Sequence, residues 1–116
     1  MLKTRNSVEK GKVRYIIFQE DRSWYGVAIE FNLVVEGDDQ ATTYLNLSEA
    51  IRGYIEATRK AHLRPTVLNQ APSNDYARLW KDLQLGRTPK LKKFEEETSN
   101  EKPVRVVSYG FLPQFA

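Results

Sequence analysis

The apolar residues of this chain change period at Gly37-Asp38-Asp39, and that change constrains the fold more than any other feature. Before the corner they fall in short runs rich in β-branched and aromatic residues. After it they recur at steps of three and four. A period of two sends side chains alternately to the two faces of a strand, whereas a period near 3.6 lays them along one stripe of a helix. Val13 to Gln19 is the first strand, followed by a polar turn over Glu20-Asp21-Arg22-Ser23. Trp24 to Phe31 is the second, with Trp24, Gly26, Ala28 and Glu30 on one face and Tyr25, Val27, Ile29 and Phe31 on the other. Asn32 turns the chain into a third strand over Leu33 to Glu36.

The helix that follows spans Asp39 to His62, with Asp39 as N-cap and an apolar stripe of Ala41, Tyr44, Leu47, Ile51, Tyr54, Ile55 and Thr58. Gly53 sits mid-helix, where a missing side chain points to close backbone approach to a sheet or a partner. Arg64-Pro65 bounds the helix, because a residue before proline avoids the α region. A second, shorter helix begins at Ser73, carries Tyr76, Leu79, Trp80 and Leu83 on one stripe, and stops at Gly86. Residues 87–103 are charged and read as a solvated loop, and Val104 to Tyr109 is a late fourth strand. The expected organisation is a flexible polar arm over residues 1–11 and one domain over 12–116. The domain has a core at 13–62, an excursion at 63–103, and a last strand with an apolar tail at 104–116.

Composition narrows the chemistry. With no cysteine in 116 residues, disulfides, thiolate zinc sites and cysteine nucleophiles are excluded. The single histidine, His62, has no serine–acid or ligand companions, so contact with the last carbonyls of its helix is the plainer role. Glu20, Asp21, Glu30, Asp38 and Asp39 fall in turns, strand ends and caps, not on a converging mid-strand cluster. No catalytic set, metal site or cofactor is therefore expected. The net charge of +3 comes from 18 basic and 15 acidic residues that are interspersed, which defines no nucleic-acid-binding face. The chain shows neither a signal-peptide core nor a membrane span, so the expectation is a cytoplasmic protein.

Gly37-Asp38-Asp39 followed by Asn46-Leu47-Ser48-Glu49-Ala50-Ile51-Arg52-Gly53-Tyr54-Ile55-Glu56-Ala57 resembles the HicB family. In that family a strand ending in Gly-Asp-Thr precedes a helix with spaced Asn-Leu-x-Glu-Ala-Ile and Tyr-Leu-Glu. Trp24-Tyr25-Gly26-Val27-Ala28 and Phe31 to Gly37 look like its second and third strands, so the likeness covers roughly residues 13–60. The chain departs from the pattern at Asp39-Gln40-Ala41-Thr42, where the family has a Thr cap and Glu-Glu-Ala, and in the length of 62–103.

The resemblance implies an α+β fold, a β-β-β-α-β antiparallel sheet with one long helix packed on one face, related to half of a ribonuclease H-like sheet. To this the chain adds the short helix and the late strand. It also implies an antitoxin whose partner is a small RNA-cleaving toxin of the HicA type, neutralised by covering its active surface. The helix-turn-helix or ribbon-helix-helix appendage of many relatives is not evident. The other reading is a stand-alone nucleic-acid-binding module of the same fold. In either reading the contact candidates are Trp24, Tyr25, Arg14, Arg22, Lys90, Lys92 and Lys93. Trp24 and Tyr25 can stack bases or pack beneath the helix. Trp80, Phe111 and Phe115 are candidates for self-association into a homodimer or higher oligomer, the tail docking on its own core or on a neighbour.

Overall fold

The computed structural model describes the backbone of residues 5–92 and 101–113, and the side chains of residues 5–91 and 103–112. Strand β1 (Lys12–Glu20) pairs with β2 (Ser23–Ala28) through a two-residue turn, with Asp21 in the left-handed region at φ 56°. The second strand is shorter than its alternation suggests. Ile29–Phe31 forms a single 3-10 turn, closed by Asn32 at φ 51°, which reverses the chain into β3 (Leu33–Gly37). Strand β6 (Arg105–Pro113) returns to the other side of β1, giving an antiparallel sheet of order β3-β2-β1-β6. A bulge between Ile17 and Phe18 leaves Val107 as the extra residue of β6.

Helix α1 (Gln40–Lys60) starts where the period changes. The Asp39 carboxylate accepts from the Thr42 N–H at 2.7 Å, and this contact holds the carboxyl below its ordinary pKa. The buried stripe is Thr43, Leu47, Ile51, Ile55 and Thr58. Ala41 and Tyr44, expected inside, lie exposed, because α1 packs on β2 and β3 and turns these two residues toward the groove beside Ile17 and Ser108. Gly53 faces open space, with nothing within 4 Å of where a Cβ would stand. Close approach occurs instead at Gly37, where a Cβ would come within 2.9 Å of the Thr43 backbone nitrogen.

The sheet is covered on both faces, not one. Val13, Ala28, Phe31 and Leu68 pack with Leu47, Ile51 and Ile55 under α1. Ile16, Phe18, Val27 and Ile29 pack on the opposite side with Leu79 and Trp80 of α2 (Asn74–Gln84). The expected stripe of α2 is the buried one, but Ser73 supplies no side-chain cap. The segment read as a wet loop begins and ends in a two-stranded ribbon of β4 (Lys90–Lys92) and β5 (Glu101–Pro103). Leu91 of this ribbon and Val104, just after it, join the α2-side core.

Part of the expected N-terminal arm is anchored. Asn6 is 6% exposed, and its Nδ2 donates to the Leu68 carbonyl while its Oδ1 accepts from the Lys12 N–H. Asn69 returns two further bonds, accepting from the Asn6 N–H and donating to the Asn6 carbonyl. His62 closes α1 through its backbone, not its ring. At φ 52° it lets its own N–H reach Arg59 O and the Leu63 N–H reach Thr58 O.

Candidate functional site

The α2-side face of the sheet builds a continuous aromatic surface along the edge strand β6. Register places Phe111 opposite Arg14 and Tyr109 opposite Ile16. Trp80, from α2, stands edge-on to both rings, at 5.9 Å from Tyr109 and 5.6 Å from Phe111. The Arg14 guanidinium lies 5.5 Å from the Trp80 ring centroid. Its orientation is fixed by Glu30, which accepts from Arg14 Nε at 2.9 Å and from the Arg14 backbone N–H at 2.8 Å. Trp80 is thereby buried in its own core, whereas Tyr109 and Phe111 remain 48% and 59% exposed.

On the other face the same edge borders a shallow groove of about 490 Å³ between β6 and the first turns of α1. Ile17 and Ser108 form its floor, and Tyr44 and Leu45 form its wall. The Tyr15 hydroxyl bonds Ser108 Oγ at 2.7 Å, and its ring meets Tyr44 edge-on, which holds the wall in place. Leu45 is 61% exposed. Among the described residues no strand pairs with the outer side of β6. The edge is therefore a row of backbone donors and acceptors flanked above and below by apolar side chains, an arrangement suited to binding another chain.

The contact candidates read from the sequence do not form one surface. Trp24 and Tyr25 point to opposite faces of β2, so they make no shared stacking platform. Tyr25 stacks on Phe18 at 5.4 Å. Arg14 is engaged by Glu30 and Trp80, and Arg22 lies in the β1–β2 turn, roughly 20 Å away along the strand. Lys90 lines an open cavity of about 600 Å³ with Arg78 and Arg87 around Asp82, a grouping that no local charge run announced. The Lys92 side chain, Lys93 and Phe115 lie outside the described residues.

Sequence reasoning missed Tyr109, Tyr44 and Leu45 as surface residues. The strand period of β6 marks Tyr109 as sharing a face with Phe111, and that was the available signal. Among the described residues no group of three or more His, Asp or Glu side chains is placed to hold a metal ion. No helix among them is long and apolar enough to cross a membrane.

These features define an α+β protein with a four-stranded antiparallel sheet, a long helix on one face, a short helix on the other, and an aromatic sheet edge. No family model matches the chain, and neither a curated protein nor a solved structure matches it.

Proposed function

We propose that this chain is a HicB-like antitoxin, or a binding module derived from one, which neutralises a small RNA-cleaving toxin of the HicA type by covering its active surface. The observation that carries the reading is the edge of β6, with Tyr109 and Phe111 half exposed on one side and Leu45 on the other. A surface of this kind binds by shape and main-chain pairing and needs no reacting group. The likeness at Gly37-Asp38-Asp39 and along α1 supplies the kind of partner. The nucleic-acid reading draws less support, because Trp24, Tyr25, Arg14 and Arg22 are dispersed over two faces and two ends of the sheet.

The test is recovery of the partner with a tagged chain from its native host. The expected result is a small, basic, histidine-containing protein whose ribonuclease activity falls when the two are combined. Tyr109→Lys, at a half-exposed position, should lower recovery about tenfold while leaving the urea midpoint near that of the parent. Equal recovery by the variant, or a preparation that retains RNA in a salt-dependent manner and no such protein, overturns the proposal. Elution as a dimer held by β6 would likewise overturn it, since a second copy would then occupy the surface assigned to the toxin.

A further inference from the structure

At the other edge of the sheet, on the α2 side, lies a cavity of about 400 Å³ that the β6 surface does not use. Tyr25 and Tyr76 form its walls, with Phe18 stacked behind Tyr25 at an interplanar angle of 28°. Phe18 and Leu91, 2% and 6% exposed, close the floor. Glu20, at the end of β1, and Asp75, in the first turn of α2, supply two carboxylates. Neither lysine nor arginine lines the cavity among the described residues.

The electrostatics follow from this arrangement. Burial holds the Tyr76 phenol above its ordinary pKa, and the charges of Asp75 and Glu20 push it the same way. Both carboxylates therefore act on the interior of the cavity. Aromatic faces carry negative quadrupole charge, and together with carboxylates they favour a cation with a flat or compact apolar shell.

The mouth of the cavity selects how such a cation arrives. Val34 forms its lip, is 49% exposed, and belongs to the edge strand β3. Among the described residues no strand pairs with the outer side of β3, and the Glu36 carbonyl accepts from Asn46 Nδ2 at 3.1 Å. An extended peptide laid along β3 would direct every second side chain to the face on which Val34 and the cavity lie.

We propose that the cavity receives the guanidinium or ammonium group of one Arg or Lys side chain, carried on an extended segment of a protein partner that pairs with β3. The site is separate from the β6 edge, and the proposal stands whether or not the antitoxin reading holds.

The probe is a blocked pentapeptide, Thr-Val-Arg-Val-Thr, followed by NMR on the full chain. Saturable shifts are expected at Tyr25, Tyr76 and the β3 amides. Replacing Arg by citrulline, which keeps the shape and removes the charge, should weaken binding about tenfold. Asp75→Asn should weaken it severalfold, and Val34→Lys, a like charge on an exposed lip, should abolish it while the urea midpoint confirms an intact fold. Equal binding of the citrulline peptide overturns the proposal. So does binding of arginine amide or tetramethylammonium chloride as tight as that of the peptide, which would make this a small-cation site. Shifts confined to residues away from β3 and the cavity overturn it too.

Discussion

His62 ends α1 in the conformation in which Gly86 ends α2. Both residues have positive φ, 52° and 69°, and both helices close with the same pair of backbone bonds. His62 N–H reaches Arg59 O while Leu63 N–H reaches Thr58 O; Gly86 N–H reaches Leu83 O while Arg87 N–H reaches Asp82 O. The left-handed conformation costs a residue with a Cβ about 1 kcal/mol and glycine almost nothing. The chain therefore carries strain at one helix end that it avoids at the other. His62→Gly should stabilise the protein by about 1 kcal/mol, and Gly86→Ala should destabilise it by a similar amount. Urea midpoints at constant slope check both signs.

Two other glycines should respond in opposite directions to the same change. At Gly37 a Cβ would stand 2.9 Å from the Thr43 backbone nitrogen and 3.0 Å from its Cα, atoms that cannot turn aside. Gly37→Ala should therefore push the first turn of α1 off β3 and cost about 2 kcal/mol. Gly53 meets nothing within 4 Å in an exposed part of the same helix. There alanine should add about 1 kcal/mol by helix propensity. Thermal unfolding of the two variants side by side gives the comparison.

The contrast between these glycines shows what the sequence made legible. The strand-to-helix switch at Gly37-Asp38-Asp39, the Asp39 cap and the α2 stripe could all be read, because local periodicity and capping chemistry specify them. Which glycine needed its missing side chain could not be read, since that depends on how the helix crosses the sheet. The same holds for the second covered face. Ile16, Phe18, Val27 and Ile29 look like ordinary alternation in β1 and β2, and nothing in that alternation says whether helix or solvent covers them. The β4–β5 ribbon was hidden because each of its strands is three residues long and set among charges. The aromatic edge was half legible. Phe111 stood out as an apolar residue near a chain end, but its exposure follows from β6 being an edge strand, which is a property of topology.

Asp39 gives a pH-dependent prediction. Its folded pKa is depressed chiefly by the Thr42 backbone N–H, so the charged cap stabilises the fold above the unfolded pKa of about 3.9. That stabilisation is lost as pH falls through the lower folded value. Asp39→Ala should lower the urea midpoint at pH 7, and the gap to the parent should narrow steadily below about pH 4. Asp39→Asn, which keeps an acceptor but no charge, should show a smaller gap at pH 7 that closes as the parent's carboxylate is protonated. Parallel unfolding curves from pH 7 to pH 2.5 would reveal a persistent gap for Asp39→Ala if the carboxylate were not responsible.

Glu30 continues a ladder that β2 abandons. The last β1–β2 pair is Tyr15 with Ala28, and beyond it the chain leaves the sheet in the Ile29–Phe31 turn. The next N–H of β1, that of Arg14, is then met by Glu30 Oε1 at 2.8 Å, while Oε2 takes Arg14 Nε. With side chains 27% and 19% exposed, the pair is shielded enough for its loss to register. Glu30→Ala leaves the Arg14 amide without its acceptor and should cost about 2 kcal/mol. Glu30→Gln keeps one acceptor for the Arg14 amide, loses the charge and the acceptor for Arg14 Nε, and should cost about half as much. Because Arg14 also lies against Trp80, the alanine change should alter the emission of that indole as well, and the glutamine change less. Urea unfolding followed by tryptophan fluorescence reads stability and environment together, and equal costs for the two variants would show that the side-chain ion pair rather than the backbone acceptor sets the strength of the contact.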